Sequence, residues 1–190
     1  MNNNIFLCGV GGQGTVLASK LIASAAMKKG IPVMSAETIG MAQKGGSVTS
    51  HLRLGDDLYC PMLGDGMADI IIGFEPAEAV RNLHYLKPDG CVIVSENPVK
   101  PVTSMLKDTG YDGTEMIAYL KRHIKHLTIV DCESACREIG SMKAMNMVLL
   151  GAALRSGAID LSMDDIKTSM RERVKPQYVE MNERALDYTA

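Results

Sequence analysis

The chain reads as an α/β protein, and three features of its pattern carry that reading. Through the first two thirds, apolar runs of strand length alternate with helix-length runs, the pattern of a largely parallel sheet covered by helices on both faces. A glycine loop, Gly9-Val10-Gly11-Gly12-Gln13-Gly14, joins the first apolar run to the first helix. After Glu133 the periodicity is helical throughout. The expected architecture is a three-layer α/β domain with a mostly parallel but mixed sheet and a helical C-terminal region. Residues 1–190 form one domain in this reading, because no linker, repeat or low-complexity tract interrupts them.

The elements follow in order. Ile5-Phe6-Leu7-Cys8 is the first strand, and a helix leaves the loop at Thr15. Residues 31–36 give a second strand that ends at Glu37. Residues 38–46 have loop composition around a short apolar patch. From Ser47 to Leu54 the residues alternate strictly, as in a half-buried strand at an antiparallel or edge position. That pattern places His51, with Thr49 and Arg53, on a polar face. Asp69 to Gly73 is a continuous apolar strand, and Pro76 opens a helix that runs to His84. A turn at Pro88-Asp89-Gly90 delivers the strand Cys91-Val92-Ile93-Val94. Residues 96–113, with Pro98, Pro101, Gly110 and Gly113, are the longest irregular stretch. Asp112 and Glu115 have capping-box spacing before a helix to Ile124, and Leu127–Val130 is the last strand. Four helical segments follow, 134–140, 143–156, 162–174 and 176–188, with Ser162 and Asp165 as a second capping box.

Composition removes several functions. A net charge of −2 supplies no field for nucleic acid or an anionic membrane, so neither is an expected partner. No apolar run is long enough to span a bilayer. The five cysteines are an odd number with no export signal ahead of them, which fits reduced thiols in a cytoplasmic protein. No C-x-x-C pair occurs, and Cys132 with Cys136 supplies two thiols where a cluster needs four ligands. The chain is therefore expected to hold no metal and no iron–sulfur cluster. Aromatic residues reach only 4% while methionines number 14, so methionine fills core gaps and serves an apolar contact surface. The four histidines share no spacing with a nucleophile or a metal set.

The glycine loop satisfies G-x-G-x-x-G in a strand–turn–helix setting. Such a loop presents backbone N–H groups at a helix N-terminus, where an anion can sit. With Glu37 at the end of the second strand to hold a ribose, the literal reading is a stand-alone NAD(P)- or FAD-binding Rossmann-like protein. A second glycine-rich stretch argues for something narrower. Glu37-Thr38-Ile39-Gly40 runs on into Gln43-Lys44-Gly45-Gly46-Ser47, which a dinucleotide site does not require.

These two stretches, with Ile72-Gly73-Phe74-Glu75-Pro76-Ala77-Glu78-Ala79 and residues 143–151, resemble the gamma-type domain of 2-oxoacid:acceptor oxidoreductases. The likeness covers nearly the whole chain, and it is strongest to the small subunits of the indolepyruvate:ferredoxin oxidoreductases. Before the diglycine, where the family usually has Arg, this chain has Lys44, which keeps the charge and loses the bidentate fork. The resemblance implies a subunit of a complex that decarboxylates arylpyruvates to acyl-CoA and reduces ferredoxin. Gamma subunits acting on pyruvate, 2-oxoisovalerate or 2-oxoglutarate share the same motifs. Thiamine diphosphate, Mg and the iron–sulfur clusters would belong to the large partner subunit, and no cofactor to this chain.

On that reading Gly11, Gly12, Gln13 and Gly14 form an anion or CoA loop, with a plain tight βα turn as the alternative. Lys44, Gly45, Gly46 and Ser47 form a loop directed at the partner's active site, with a simple hairpin approach as the alternative. Glu37 and Glu75 follow strands, where α/β sheets place ligands, and either can instead be a solvated or helix-capping carboxylate. Asn146 interrupts an apolar helix and is expected to tie it to the glycine loops. A surface built for a partner would be apolar, so the isolated subunit is expected to self-associate.

Overall fold

The computed structural model describes residues 2–39, 45–56, 58–100 and 110–189. Six strands form one sheet in the order β2-β3-β1-β4-β5-β6. They are β1 Asn3–Val10, β2 Val33–Ile39, β3 Ser47–Leu54, β4 Ala68–Gly73, β5 Leu86–Ser95 and β6 His126–Val130. β1, β4, β5 and β6 run parallel, while β3 is antiparallel to both β1 and β2. The connection between β2 and β3 is too short for a crossover, so β3 must return antiparallel.

The period-2 alternation of the strands sorts their side chains onto two faces. Ile5, Leu7, Ile70, Ile72 and Ile93 enter the larger core, which α1 (Thr15–Lys28) covers together with the C-terminal helices. Phe6, Cys8, Ile71, Val92 and Val94 enter the smaller core, covered by α2 (Pro76–Arg81) and α3 (Thr114–His123). The C-terminal helices are α4 (Cys132–Ile139), α5 (Met145–Arg155), α6 (Met163–Arg173) and α7 (Val179–Asp187). α7 lies so close to α5 that a Cβ on Gly151 would stand 2.1 Å from the Leu186 carbonyl oxygen. Arg155 donates to the carbonyls of Leu186 and Tyr188 and so closes the end of α7. The Ser162–Asp165 capping box is present as expected, with both reciprocal bonds made.

Several boundaries differ from the sequence pattern. β2 continues through Glu37 to Ile39 because backbone pairing to β3 extends past the apolar run. Pro88-Asp89-Gly90 lies within β5, at an irregularity where pairing to β4 passes from Ala68–Leu86 to Ile70–Cys91. α2 stops at Arg81 and a 3-10 turn, Leu83–Tyr85, takes over. At the start of α3 the cap is Gly113 with φ 79°, and Asp112 accepts from the Thr114 N–H rather than forming a box with Glu115.

His51 is the clearest correction. It is 2% exposed, not on a solvated face. β3 is an inner strand, and the outer side of its Thr49–His51–Arg53 row meets Leu63 and Tyr85 at His51 and the Cys60 carbonyl at Arg53. The His51 ring meets Phe6 and Tyr85 edge-on, at centroid distances of 4.8 and 5.3 Å. Its Nδ1 accepts the Leu63 N–H at 3.1 Å, a role only the neutral ring can play. Burial holds its pKa below the ordinary value of 6.5. Protonation is disfavoured in the folded state, so this stabilisation is complete above the unfolded pKa and is lost as pH falls through the depressed one. Denaturant melts at about pH 7.5 and about pH 5 should therefore show an acid destabilisation that His51→Gln reduces. Equal pH dependence in the two proteins would refute the assignment.

Candidate functional site

In open α/β sheets ligands bind outside the carboxyl ends of the strands, where the winding direction reverses. Here the reversal falls between β1 and β4. The chain leaves β1 for α1 on one face, and leaves β4 for α2 on the other. The glycine loop stands at the end of β1, and Gly73-Phe74-Glu75 at the end of β4.

The crevice between them is filled by Gln13. Its Oε1 accepts the Val10 N–H at 2.7 Å, and its Nε2 donates to the Phe74 carbonyl at 2.8 Å. Beneath it the Phe74 N–H donates to the Cys8 carbonyl at 2.8 Å. Gly9 is glycine because a Cβ there would lie 2.7 Å from both Gln13 Oε1 and Phe74 Cβ. Gln13 therefore works through its side-chain amide, joining the two lips of the crevice. The sequence motif had suggested only its backbone.

The Gly11 N–H is also engaged, donating to the Gly46 carbonyl at 2.9 Å. The two glycine stretches thus meet, a contact the sequence had not indicated. Gly12 (φ 102°) has open space where a side chain would stand, and Gly14 (φ 84°) carries the left-handed turn into α1. Asn146 packs on Gly14, where a Cβ would come within 2.6 Å of the Asn146 Nδ2. Its Oδ1 accepts the Met147 N–H at 3.0 Å, so the buried amide also satisfies a donor in the first turn of α5.

Glu75 is a helix cap, the second of its two readings. It is 2% exposed and accepts the Glu78 N–H at 3.0 Å and the Tyr111 hydroxyl at 2.5 Å. Burial and this carboxylate push the Tyr111 phenol well above its ordinary pKa, so it remains a donor. Glu78 is buried beside it, accepts the Ser47 hydroxyl at 2.6 Å, and pairs with Arg81. Cys8 lies at the base of this group. Burial first, then Glu78 and Glu75, push its thiol well up, so it packs as a small apolar residue. Sequence reasoning missed Tyr111 and the Ser47 bond of Glu78, whose partners are distant along the chain, and it also passed over the Glu78–Arg81 pair, which has ordinary i,i+3 helix spacing. Lys44 lies outside the described residues.

Glu37 does not join the group. β3 is inserted between β2 and β1, and the two inter-strand spacings put Glu37's strand roughly 9–10 Å from β1. It pairs with Ser50, within the strand rather than at its end. The ribose acid of a dinucleotide site is therefore not built here. Beside Gln13 a cleft of about 170 Å³ is lined by Asn97, Val99, Cys132, Met142 and Met145. Val99 and Met142 are 38% and 62% exposed there, and burial pushes the Cys132 thiol up to about 12. Among the described residues no three His, Cys, Asp or Glu side chains converge as metal ligands, so they do not fit a metal or cluster.

The fold and the site define a Rossmann-like α/β domain whose switch-point crevice is bridged by its own glutamine. The chain belongs to the pyruvate ferredoxin/flavodoxin oxidoreductase family, whose pattern matches residues 4–190. It is similar to the indolepyruvate oxidoreductase subunit IorB of Pyrococcus horikoshii, 37% identical over 189 residues, covering 97% of this chain and 92% of that one. The pyruvate/ketoisovalerate oxidoreductases common subunit gamma of Pyrococcus abyssi is 26% identical over 186 residues, covering 93% and 89%. In fold the chain resembles the keto/oxoacid ferredoxin oxidoreductase gamma subunit of Geobacter sulfurreducens, with TM-score 0.74, 21% identity, and 98% and 93% covered. The protein is thus a small subunit of a 2-oxoacid:ferredoxin oxidoreductase.

Gln13→Ala would leave the Val10 N–H and the Phe74 carbonyl without their partner. It should cost about 2 kcal/mol, from roughly 1–3 kcal/mol for each buried group left unsatisfied, softened by any water that enters. Equilibrium denaturation measures this, and a loss below about 0.5 kcal/mol would show that the bridge does not hold the crevice.

Proposed function

We propose that this chain is the small subunit of an indolepyruvate-type oxidoreductase, and that its carboxyl-edge surface completes the active site of a large thiamine-diphosphate and iron–sulfur subunit. Residues 1–190 act as one gamma-type domain in this reading. The complex oxidatively decarboxylates an arylpyruvate, forms an acyl-CoA, and passes electrons to ferredoxin. Thiamine diphosphate, Mg and the clusters are held by the partner, and CoA and ferredoxin are met through the complex. The isolated chain is inactive and works in the cytoplasm.

The observation that carries the reading is the Gln13 bridge, which occupies the crevice a stand-alone nucleotide enzyme would need. The gap between 37% identity to the indolepyruvate subunit and 26% to the common gamma subunit favours the arylpyruvate substrate. Val99 and Met142, exposed beside the glycine loops, supply apolar surface for the partner and for self-association when it is absent. Gly12, the open left-handed position in the glycine loop, leaves room for an anion such as a CoA phosphate. Lys44, Gly45, Gly46 and Ser47 lead toward the partner's reacting centre, anchored by Gly46 on Gly11 and by Ser47 on Glu78.

Titrating the purified chain with NAD(H), NADP(H) and FAD should give no tight stoichiometric binding; such binding would overturn the subunit reading. In the reconstituted complex, Lys44→Ala and Gly46→Ala should lower turnover on the order of tenfold or more while the subunits stay assembled, because a small displacement at a reacting centre is costly. Normal assembly with normal kinetics would remove the loop from the site.

A further inference from the structure

At the other end of the sheet, three cations lie within five residues. Lys121 and Arg122 end α3, and Lys125 follows in the link to β6. All three are exposed, in a chain whose net charge is −2. Among the described residues none of them makes an ion pair. The stem of Lys121 runs along a hollow shared with Glu96 and Asp112, so Arg122 and Lys125 are the outward members. On β5, Asp89 stands two residues before Cys91, the partner of His126 in the register. His123 is turned back along the helix, its Nδ1 2.8 Å from the Tyr119 carbonyl and its ring stacked on Tyr119 at 4.1 Å. The first turn of α3 holds one acid, Glu115, far from this end.

A single cation in the last turn complements a helix dipole. Two there and a third beyond the helix exceed that need. The position is also informative. α3 starts beside the carboxyl-edge site, where Gly113 abuts Pro76 and Pro98, and its 10 residues carry the chain about 15 Å away. The cluster therefore cannot act on a ligand at the glycine loops. An obligate subunit interface would exclude unpaired charge from its centre. Exposed cations on flexible stems suit a small, transient interface steered by charge, the kind that electron-transfer partners use.

We propose that Arg122 and Lys125, with Lys121, form an electrostatic docking surface for the acidic face of a small electron-carrier protein. The proposal rests on the subunit reading above. The carrier is the oxidant in that reaction, taking one electron at a time from the partner's clusters, and no bond forms at this surface. Its role is to raise the rate of encounter.

The test uses the complex of this chain with its large subunit, carrying Arg122→Glu and Lys125→Glu together. Turnover is followed with a ferredoxin and, separately, with a small redox dye. The KM for ferredoxin should rise about tenfold or more and lose much of its dependence on ionic strength, with dye-linked turnover unchanged, as removal of steering charges predicts. The neutral pair Arg122→Gln and Lys125→Gln should give a smaller rise in the same direction. An unchanged KM for ferredoxin in the charge-reversed complex would overturn the proposal. So would loss of subunit assembly, or a rise in the KM for CoA or for the oxoacid instead, each of which would reassign the surface. A wild-type complex that oxidises no 2-oxoacid even with the dye would overturn the subunit reading, and the docking surface with it.

Discussion

The carboxyl edge of this protein depends on one side-chain amide. Gln13 presents an acceptor to the end of β1 and a donor just past the end of β4, and both partners are half-buried backbone groups. A carboxamide offers the two polarities on separate atoms, so one side chain can span both lips. Without it the two lips of the crevice would each hold an unsatisfied polar group or admit water. With it the lips are joined, and the loops that follow have a fixed base. Gly11 then holds Gly46, and Gly14 accepts the close approach of Asn146. The Rossmann-like frame thereby gains a firm carboxyl edge.

The same edge buries two carboxylates beside the start of β3. Glu75 and Glu78 are buried, and each is satisfied by several donors: the Glu78 N–H and Tyr111 for the first, Ser47 and Arg81 for the second. Buried carboxylates without such partners would be strongly destabilising, so the donors are part of the fold. Their effect reaches Cys8 below, which the two carboxylates help to keep protonated. Through Ser47 the pair also fixes where the Lys44–Ser47 stretch rejoins the sheet. Tyr111 does the same for the chain leading into α3. Two segments remote in sequence are thereby anchored to one short helix.

What the sequence disclosed was set by the range of the interactions involved. The continuous apolar runs of β1, β4 and β5, the alternation of β3, the Ser162–Asp165 box and the glycine loop are local patterns, and all of them are found in the structure. His51 was misread because the alternation of β3 marks two faces without saying that Cys60, Leu63 and Tyr85 lie over one of them. Glu37 was misplaced for a similar reason. Its spacing from the glycine loop suits a ribose acid, but the return of β3 between β2 and β1 is a matter of topology, invisible in spacing. The Glu75–Tyr111 and Ser47–Glu78 bonds join residues more than thirty apart. No periodicity encodes them. The likeness to the 2-oxoacid oxidoreductases marked both glycine stretches as site candidates, while the Gly11–Gly46 bond that joins them is seen only in the structure.

In the proposed roles, the two ends of the sheet divide the work by the kind of surface each can offer. At the carboxyl edge, glycines, a closed crevice and exposed Val99 and Met142 give a shaped surface, partly apolar, suited to a permanent neighbour. At the amino edge, the end of α3 offers charge without shape, suited to a neighbour that comes and goes. A permanent partner must exclude water, which requires fit and apolar contact at the centre of the interface. A transient one needs only to be attracted and released, which mobile cations accomplish without ordering many side chains. A parallel α/β sheet separates these requirements naturally. Its loops after the strands build the first surface, and the ends of its helices, some 15 Å away, remain free to build the second.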